Sequence, residues 1–182
     1  GICLFSGRDD SLEDLLKHAD LALYGAKEAG RNSLKFYSAE MQYALEMRSI
    51  IQSALFLALE NQQLQIYAQA QVNKDGGVVG AELLLRWHHP RVGWISPAQF
   101  IPLAEETGAI VPIGRWVLLE ACRTLARWAS LPGYEHLSLA INVSICQFSQ
   151  DNFVGEVKDA LAQTGAPPHA LKLEFTESIV ID

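Results

Sequence analysis

Apolar residues recur at helical spacing near the start of the chain. The first apolar face runs from Leu12 to Ala26, with the spacing of an amphipathic helix. Ser11 and Asp14 form a capping-box pattern at its start, and Gly30 is placed to end it. We therefore predict a helix between Ser11 and Gly30.

A second helix, free of glycine and proline, is predicted over 38–61, after a short strand over 33–36. The later part of this helix, 54–59, is apolar on almost every side, which indicates burial rather than a free linker. Because the pattern changes to alternating strands and helices soon afterwards, we place a domain boundary near residue 40. The predicted domains are 1–40 and 41–182.

A β-hairpin is predicted where the alternating pattern begins. Apolar and polar residues alternate over 64–72, which is typical of a half-buried strand. Turn residues follow over 74–77, and a second strand is predicted over 78–87. Because the turn is short, the two strands should pair antiparallel.

Helices separate the later strands, and this arrangement favours an α/β fold with a parallel sheet. Ser96, Pro97 and Gln99 supply an N-cap, a proline at the first helical position and a capping-box side chain, which together predict a helix start. The other predicted elements are a helix over about 113–128, a strand over 137–143, a helix over 152–164 that Gly165 ends, and a strand over 171–176.

The charge of the chain limits the classes of ligand. Its formal net charge is −7, and 19% of its residues are charged. A nucleic-acid groove needs clustered lysines and arginines that this chain lacks, so we expect no nucleic-acid partner. A small anionic ligand remains compatible with the sequence, because local arginines or a metal ion can override the global charge.

The cysteines and the hydropathy pattern bear on location. Cys3, Cys122 and Cys146 are widely spaced without a CxxC pair, which favours buried thiols of a reducing compartment over disulfides. No apolar run approaches the ~18 residues of a membrane span, and the start of the chain has no signal-peptide layout. We expect a cytoplasmic segment without membrane contact, and this leaves open an anchor elsewhere in a longer parent protein.

Charged residues interrupt the second strand of the hairpin. Glu82, Leu84 and Arg86 have the spacing that places their side chains on one strand face. A buried charge needs a partner, so a Glu82–Arg86 pair that satisfies itself is one explanation. A ligand site on this face is the other.

Two later strands each carry one further oxygen ligand near their C-terminal ends, Asn142 and Glu174. Sites gather at these ends in parallel α/β folds. Hard oxygen donors without cysteine or paired histidine favour Mg²⁺ or Mn²⁺ over zinc. Taken singly, Asn142 could cap a loop and Glu174 could pair with Lys172. Together with Glu82, they favour a metal site.

Several segments occur in an order that is specific to one family. They are AQAQV over 68–72, GAELLLRWHHP over 80–90, SPAQFIPLAE over 96–105, WVL over 116–118, INVS over 141–144, QF over 147–148 and LEFTES over 173–178. On these segments, the chain from about residue 41 resembles the EAL domain family of cyclic-di-GMP phosphodiesterases. Residues 19–32 resemble the C-terminal end of a GGDEF (diguanylate cyclase) domain, so the chain is similar to the junction of a GGDEF–EAL tandem protein in bacterial signalling.

The resemblance implies a partial TIM-like barrel whose first strand is antiparallel. It also implies that Glu82, Asn142 and Glu174 bind the catalytic metals, two Mg²⁺ or Mn²⁺ ions in the complete domain. In the family, metal-activated water attacks one phosphodiester of cyclic-di-GMP and yields linear pGpG. The resemblance further implies a homodimer formed through this domain, although no segment of the sequence indicates an interface.

The resemblance also implies roles in substrate binding. Arg86 would hold a substrate phosphate, and Gln69 and Leu84 would line the pocket. Glu177 would support the loop that shapes the metal site, with Thr176 beside it. In the GGDEF-like part, Lys27 and Arg31 match residues that contact nucleotide phosphates, and their spacing puts them on one helical face. A solvated basic helix end is the alternative interpretation of that pair.

The chain departs from the family pattern at two positions that it contains. Leu83 replaces the usual alanine of the signature tripeptide, and Ala70 replaces the usual proline after Gln69. We expect the family's DDFGTG segment, its lysine and its later glutamate beyond Asp182, so this chain alone would not complete the site. A degenerate EAL domain that binds cyclic-di-GMP without hydrolysis is therefore the alternative hypothesis, and an inert scaffold is a third.

Two groups of residues favour structural roles. His88 and His89 are neighbours in a strand, so their side chains should point apart and should not share one metal ion. The four tryptophans are too scattered for a stacking platform, and we expect them in the core and at its rim; they are Trp87, Trp94, Trp116 and Trp128.

Overall fold

The computed structural model describes residues 1–5 and 11–175, so Thr176 and Glu177 lie outside the described residues. The chain forms two compact units, Gly1–Ser53 and Ala54–Asp182. The predicted division near residue 40 is a statement about domain families, and it stays a prediction.

The first helix, α1, spans Leu12–Glu28. The backbone N–H of Asp14 donates to the Ser11 side-chain oxygen at 3.1 Å, which caps the helix as the sequence predicts. Ala29 is the C-cap residue, and Gly30 follows with a φ of 100°. A positive φ is accessible to glycine without steric cost, so this position ends the helix.

The predicted strand over 33–36 is wrong. Within residues 1–5 and 11–175, this segment forms only a single parallel bridge, between Ile2 and Phe36. Phe36 is exposed, so this segment lacks the half-buried face that supports a strand. A short segment of this kind, in which only Phe36 favours a strand, does not form one without a partner to pair with along its length.

The second helix, α2, spans Ala39–Ala58 and ends before the predicted limit at residue 61. Its later part is not buried on every side as predicted. Leu55 and Ala58 are buried, whereas Phe56 and Leu57 are 57% and 51% exposed. Helical geometry gives the four side chains different directions, so only one side of this apolar run faces the core.

The predicted hairpin is present. Strand β1 spans Leu64–Val72 and pairs antiparallel with β2, Val78–His89. Asn73 supports the turn, because its side-chain oxygen accepts from the backbone N–H of Asp75 at 3.0 Å and of Gly77 at 2.8 Å. A short strand that the sequence analysis missed, β3 (Gly93–Ile95), pairs antiparallel with the end of β2.

The remaining elements alternate helices with parallel strands. Strand β4 pairs parallel with β2 and β5 pairs parallel with β4, which gives the strand order β1-β2-β4-β5. This mixed α/β sheet of mostly parallel strands confirms the predicted fold class. The elements are α3 (Pro97–Thr107), α4 (Ile110–Ala129), β4 (Ser138–Val143), α5 (Ile145–Phe148), α6 (Phe153–Thr164), a 3-10 turn (Pro168–Ala170) and β5 (Leu171–Phe175).

Capping residues set the ends of α3 and α6. The Gln99 side chain accepts from the backbone N–H of Ser96 at 3.3 Å, which is the predicted start of α3. Helix α6 ends at Gly165, whose φ of 71° is left-handed.

One face of the sheet packs against helices. Buried side chains of β2 and β4, including Leu83, Leu139 and Ile141, form the core with α4 and α6. Trp87, which is fully buried, belongs to the same β2 face. Its indole N–H donates to Gln63 at 3.1 Å, and its ring meets Phe100 of α3 edge-on at 5.5 Å. The alternate residues of β2 and β4 therefore point to the opposite face.

Candidate functional site

Two charged side chains, with a leucine between them, lie along the face of β2 that the helices do not cover. Glu82, Leu84 and Arg86 alternate with the buried residues Leu83 and Trp87. All three are half-buried rather than enclosed. Their common face is the arrangement that their spacing predicts.

Strand β1 adds further side chains to this face. Gln69 lies opposite Glu82 in the register of the hairpin, and Tyr67 lies opposite Leu84. Residues directly opposite on neighbouring strands share a face. Gln69 therefore lies beside Glu82. Tyr67 lies beside Leu84, midway along the strand between Glu82 and Arg86.

Asn142 and Glu174 lie on the same face. Glu82 is opposite Ala140 in the register of β2 and β4, so Asn142 lies two residues further along the same face. Asn142 is directly opposite Glu174 on β5. The Asn142 side-chain N–H donates to a carboxylate oxygen of Glu82 at 2.7 Å. The fold thus brings together side chains from three adjacent strands.

The two ion pairs that would compete with a ligand site are not formed in the described part of the chain. Glu82 accepts from Asn142, and the ion pairs formed within the described ranges do not include Glu82 with Arg86. They also do not include Glu174 with Lys172. Arg86 instead donates to the backbone carbonyl of Leu85 at 2.9 Å.

The donor set fits a hard divalent cation. Two carboxylates and one amide oxygen are ligands that Mg²⁺ and Mn²⁺ accept. Because the Asn142 nitrogen already contacts Glu82, the two side chains lie within the range of a shared ion. In the described part of the chain, no group of three His, Cys, Asp or Glu side chains could hold a metal ion.

The structure corrects the predicted geometry of Lys27 and Arg31. Lys27 lies in the last turn of α1, but the helix ends at Glu28. Arg31 follows with a positive φ of 62°, so the two residues do not share a helical face. Four-residue spacing implies a common face only where the helix continues, and the glycine at position 30 ends it.

The two histidines lie on opposite faces of β2, as predicted. His88 is exposed and its ring is 5.0 Å from Trp94. His89 is buried, and its Nδ1 accepts from the backbone N–H of Arg91 at 3.3 Å. Of the tryptophans, Trp87 is a core residue and Trp94 is 56% exposed.

Tyr67 and Trp94 are two further members of this face that are not among the site residues predicted from the sequence. The Arg86 guanidinium carbon lies 5.7 Å from the centroid of the Tyr67 ring. The Trp94 ring meets Tyr67 edge-on at 6.1 Å. A signal was present for Tyr67, because it is two residues before Gln69 and must share its strand face. Trp94 depended on β3, which was not predicted.

Comparison with known proteins identifies the family. The sequence pattern of the EAL domain matches residues 52–182. The chain belongs to the EAL domain family. This EAL domain chain is 41% identical over 179 residues to the bifunctional diguanylate cyclase/cyclic di-GMP phosphodiesterase MucR of Pseudomonas aeruginosa. The match covers 98% of the chain and 26% of MucR.

One further relative and one solved structure are also named as phosphodiesterases. The chain is 35% identical over 182 residues to the cyclic di-GMP phosphodiesterase PdeR of Escherichia coli, which covers 100% of the chain and 27% of PdeR. The solved structure of the PaMucR phosphodiesterase in complex with c-di-GMP is 42% identical. It superposes with a TM-score of 0.69 over 73% of this chain and 54% of that structure.

The EAL domain chain spans about a quarter of the length of these two curated relatives. Among the residues that the structure describes, no helix is both long and apolar enough to cross a membrane.

Proposed function

We propose that the protein hydrolyses cyclic-di-GMP to linear pGpG through the EAL domain of this chain. The contact between Asn142 and Glu82, with Glu174 opposite Asn142, is the observation that carries the proposal. These oxygen ligands stand on the sheet face that the helices leave uncovered. The names of MucR and PdeR as phosphodiesterases support the same reaction.

In this proposal Glu82, Asn142 and Glu174 hold divalent metal, Mg²⁺ or Mn²⁺. When bound, such ions lower the pKa of a water molecule and stabilise charge on a phosphodiester during in-line displacement. The protein's part is to place the three oxygen ligands on neighbouring strands. Asn142 contributes by donating to Glu82, which fixes the orientation of that carboxylate.

The proposed substrate contacts lie along the same face. Arg86 binds a phosphate of the nucleotide, since a guanidinium offers several N–H donors to phosphate oxygens. Gln69 lies opposite Glu82, and Leu84 follows Glu82 on the same face, so both line the proposed pocket. Thr176 and Glu177, outside the described residues, remain proposed members on the ground of family resemblance alone.

A binding effector without turnover is the second candidate, favoured by Leu83 and Ala70. The structure places both away from the ligands. Leu83 is buried in the core on the helix-covered face of β2, and Ala70 is opposite Ala81, on that same side of the sheet. Because neither substitution removes an oxygen ligand, hydrolysis is the better proposal.

We further propose that residues 1–40 are the end of a GGDEF domain and that 41–182 are the start of the EAL domain. The support is the sequence similarity of residues 19–32 to GGDEF domains. In this proposal Lys27 and Arg31 belonged to phosphate contacts of that domain, the protein is cytoplasmic in this segment, and the EAL domain mediates a homodimer.

The test of the proposed function is hydrolysis by the full-length protein and by a Glu82→Gln variant. With Mg²⁺ or Mn²⁺, the wild-type protein should convert cyclic-di-GMP to pGpG. Glu82→Gln should reduce the rate at least about a hundredfold, because even outer-shell partners of a metal are worth about 10- to 100-fold. Chromatography of the nucleotides measures both.

Glu120→Gln is the matched control. Glu120 lies on α4 and pairs with Arg123 of the same helix at 2.6 Å. A surface pair of this kind contributes little, so the control should keep wild-type activity. Wild-type protein that binds cyclic-di-GMP below micromolar concentration and leaves it intact would favour the binding effector instead. Protein that neither binds nor hydrolyses the nucleotide would overturn both candidates.

A further inference from the structure

Arg86 is held against an aromatic ring on the proposed site face. Its guanidinium carbon lies 5.7 Å from the centre of the Tyr67 ring, within the range of a cation–π contact. Gln65 is the residue directly opposite Arg86, and Tyr67 is one diagonal step away. Diagonal neighbours are about 7–8 Å apart, within reach of long side chains. The contact therefore follows from the hairpin register.

The Tyr67 ring has its own support. Trp94 of β3 meets it edge-on, with ring centres 6.1 Å apart and planes at 78°. The Trp94 ring also contacts His88 of β2, with ring centres 5.0 Å apart. Edge-to-face pairs at this separation are favourable. Strand β3 therefore restricts the Tyr67 ring from one side while Arg86 lies against it.

The aromatic pair formed by Tyr67 and Trp94 is open to a ligand on this face. Tyr67 is 48% and Trp94 is 56% exposed, so neither buries its full apolar surface in the described structure. Both nevertheless share the sheet face of Glu82 and Asn142. A ring under a guanidinium also leaves the N–H edge of the guanidinium available for another partner.

Arg86 has N–H donors to spare for a ligand. A guanidinium carries five N–H donors, and the bond to the Leu85 carbonyl uses one of them. The hydrogen bond to Leu85 and the contact with the Tyr67 ring both restrict the long, flexible side chain of Arg86. Together they reduce the number of orientations that Arg86 would lose on binding a phosphate.

We propose that Tyr67, supported by Trp94, is the positioning residue that holds Arg86 in place for a phosphate of cyclic-di-GMP. This inference rests on the proposed function, and it adds a role for two residues that the family motifs do not include. Tyr67 acts through Arg86 and does not itself touch the reacting atoms.

The test compares Tyr67→Leu, Tyr67→Phe and Trp94→Leu in the full-length protein. Calorimetry measures the dissociation constant of cyclic-di-GMP with Ca²⁺ in place of Mg²⁺, and chromatography verifies that the nucleotide stays intact. Tyr67→Leu should raise the dissociation constant about three- to tenfold, the range of a cation–π contact. Tyr67→Phe should match the wild type, because the ring remains. Trp94→Leu should raise the constant about twofold.

Two further measurements separate positioning from general damage. In the Mg²⁺ reaction, Tyr67→Leu should raise KM and leave kcat within about twofold, as expected when uniform binding is lost. In an Arg86→Ala background, Tyr67→Leu should have no additional effect on either quantity. A merely structural role for Tyr67 would persist without Arg86.

Tyr134→Leu is the matched control. Tyr134 is also 48% exposed and also lies beside a tryptophan, with its ring 6.2 Å from that of Trp128. It should leave nucleotide binding unchanged. The inference is overturned if Tyr67→Leu binds as the wild type does, if Tyr67→Phe is equally damaging, or if the effect survives in the Arg86→Ala background. Wild-type protein that neither binds nor hydrolyses cyclic-di-GMP would instead overturn the proposed function, and this inference with it.

Discussion

The Asn142 side chain has both an N–H donor and a carbonyl oxygen, which explains why an amide is useful between two carboxylates. Its N–H donates to Glu82, while its carbonyl oxygen remains a neutral ligand for a cation. Glu174 stands directly opposite it on the next strand. An aspartate at position 142 would add a third negative charge and lose the donor to Glu82. The amide therefore orders the group without increasing the charge repulsion within it.

The cysteines differ in chemistry because they differ in burial. Cys122 is fully buried on α4, and burial raises the pKa of its thiol. Cys3 and Cys146 are half-buried. Since the thiolate is the reactive form, we expect iodoacetamide to modify Cys3 and Cys146 in the native protein well before Cys122.

Mass spectrometry of the cysteine peptides over time measures this order. Addition of denaturant should make the three cysteines react at similar rates, which serves as the control. Modification of Cys122 as fast as Cys146 in native protein would contradict the burial of α4 against the sheet.

The sequence predicts strands and helices well where local chemistry and tertiary packing agree. The hairpin of β1 and β2 has both alternation and turn residues, and α3 has a complete set of start signals in Ser96, Pro97 and Gln99. Helix α5 was missed although Ser144 and Gln147 carry a capping-box pattern, because four residues are too few for hydrophobic periodicity.

The candidate ligands could be predicted because each interrupts an apolar strand, whereas their partners could not. Spacing places Glu82 and Arg86 on one face, but it does not show which of them contacts Asn142. That contact depends on the register of β2 with β4, which is set by packing between residues distant in sequence. The Tyr67 ring beside Arg86 depends in the same way on the register of β1 with β2.

The close approach of β2 and β4 depends on one glycine, and this gives a prediction at the level of strands. Gly80 is buried opposite Ser138, and a Cβ atom there would overlap the Ser138 carbonyl. Gly80→Ala should therefore lower the free energy of unfolding by about 1–3 kcal/mol, as overpacking does. Urea denaturation followed by tryptophan fluorescence measures this change, since all four tryptophans lie in the second unit.

Gly25→Ala is the contrasting substitution. Gly25 lies within α1, where a Cβ would meet only the flexible side chains of Lys35 and Met41, at 3.8 and 3.9 Å. Alanine is favoured over glycine inside a helix, so this change should not destabilise the protein. The tryptophan transition should stay at the wild-type midpoint. A Gly80→Ala midpoint equal to that of the wild type would contradict the tight contact between β2 and β4.

At the scale of the whole molecule, the negative charge of the chain opposes the binding of an anionic nucleotide. The chain carries a net charge of −7, and the proposed site adds two carboxylates to the face that receives an anionic nucleotide. Arg86 contributes one positive charge on the strand face that it shares with Glu82. Bound divalent metal would reverse the sign of the local field, because ions are the largest charges in such sites. Nucleotide binding should therefore require metal, even where no bond is broken.

Bound metal should therefore stabilise the folded protein through its proposed ligands Glu82, Asn142 and Glu174. Any ligand that binds only the native state raises the free energy of unfolding, by about 2.7 kcal/mol at one hundred times its dissociation constant. For a folding unit of about 150–250 residues, that corresponds to a rise in Tm of about 5 °C or more. Differential scanning calorimetry of the full-length protein in EDTA and in excess Mn²⁺ measures the rise.

Asn142→Ala should reduce this Tm rise to a small fraction of the wild-type value. Asn142 is exposed and makes one side-chain hydrogen bond to Glu82, so the substitution alone should change stability in EDTA by only about 1 kcal/mol. With Ca²⁺ in place of Mn²⁺, so that the nucleotide stays intact, cyclic-di-GMP should raise Tm further. In EDTA it should not, because the carboxylates repel the phosphates when no metal is bound. An equal Tm rise in the wild type and in Asn142→Ala would show that the metal binds elsewhere, and a nucleotide effect in EDTA would show that Arg86 suffices to overcome the negative charge.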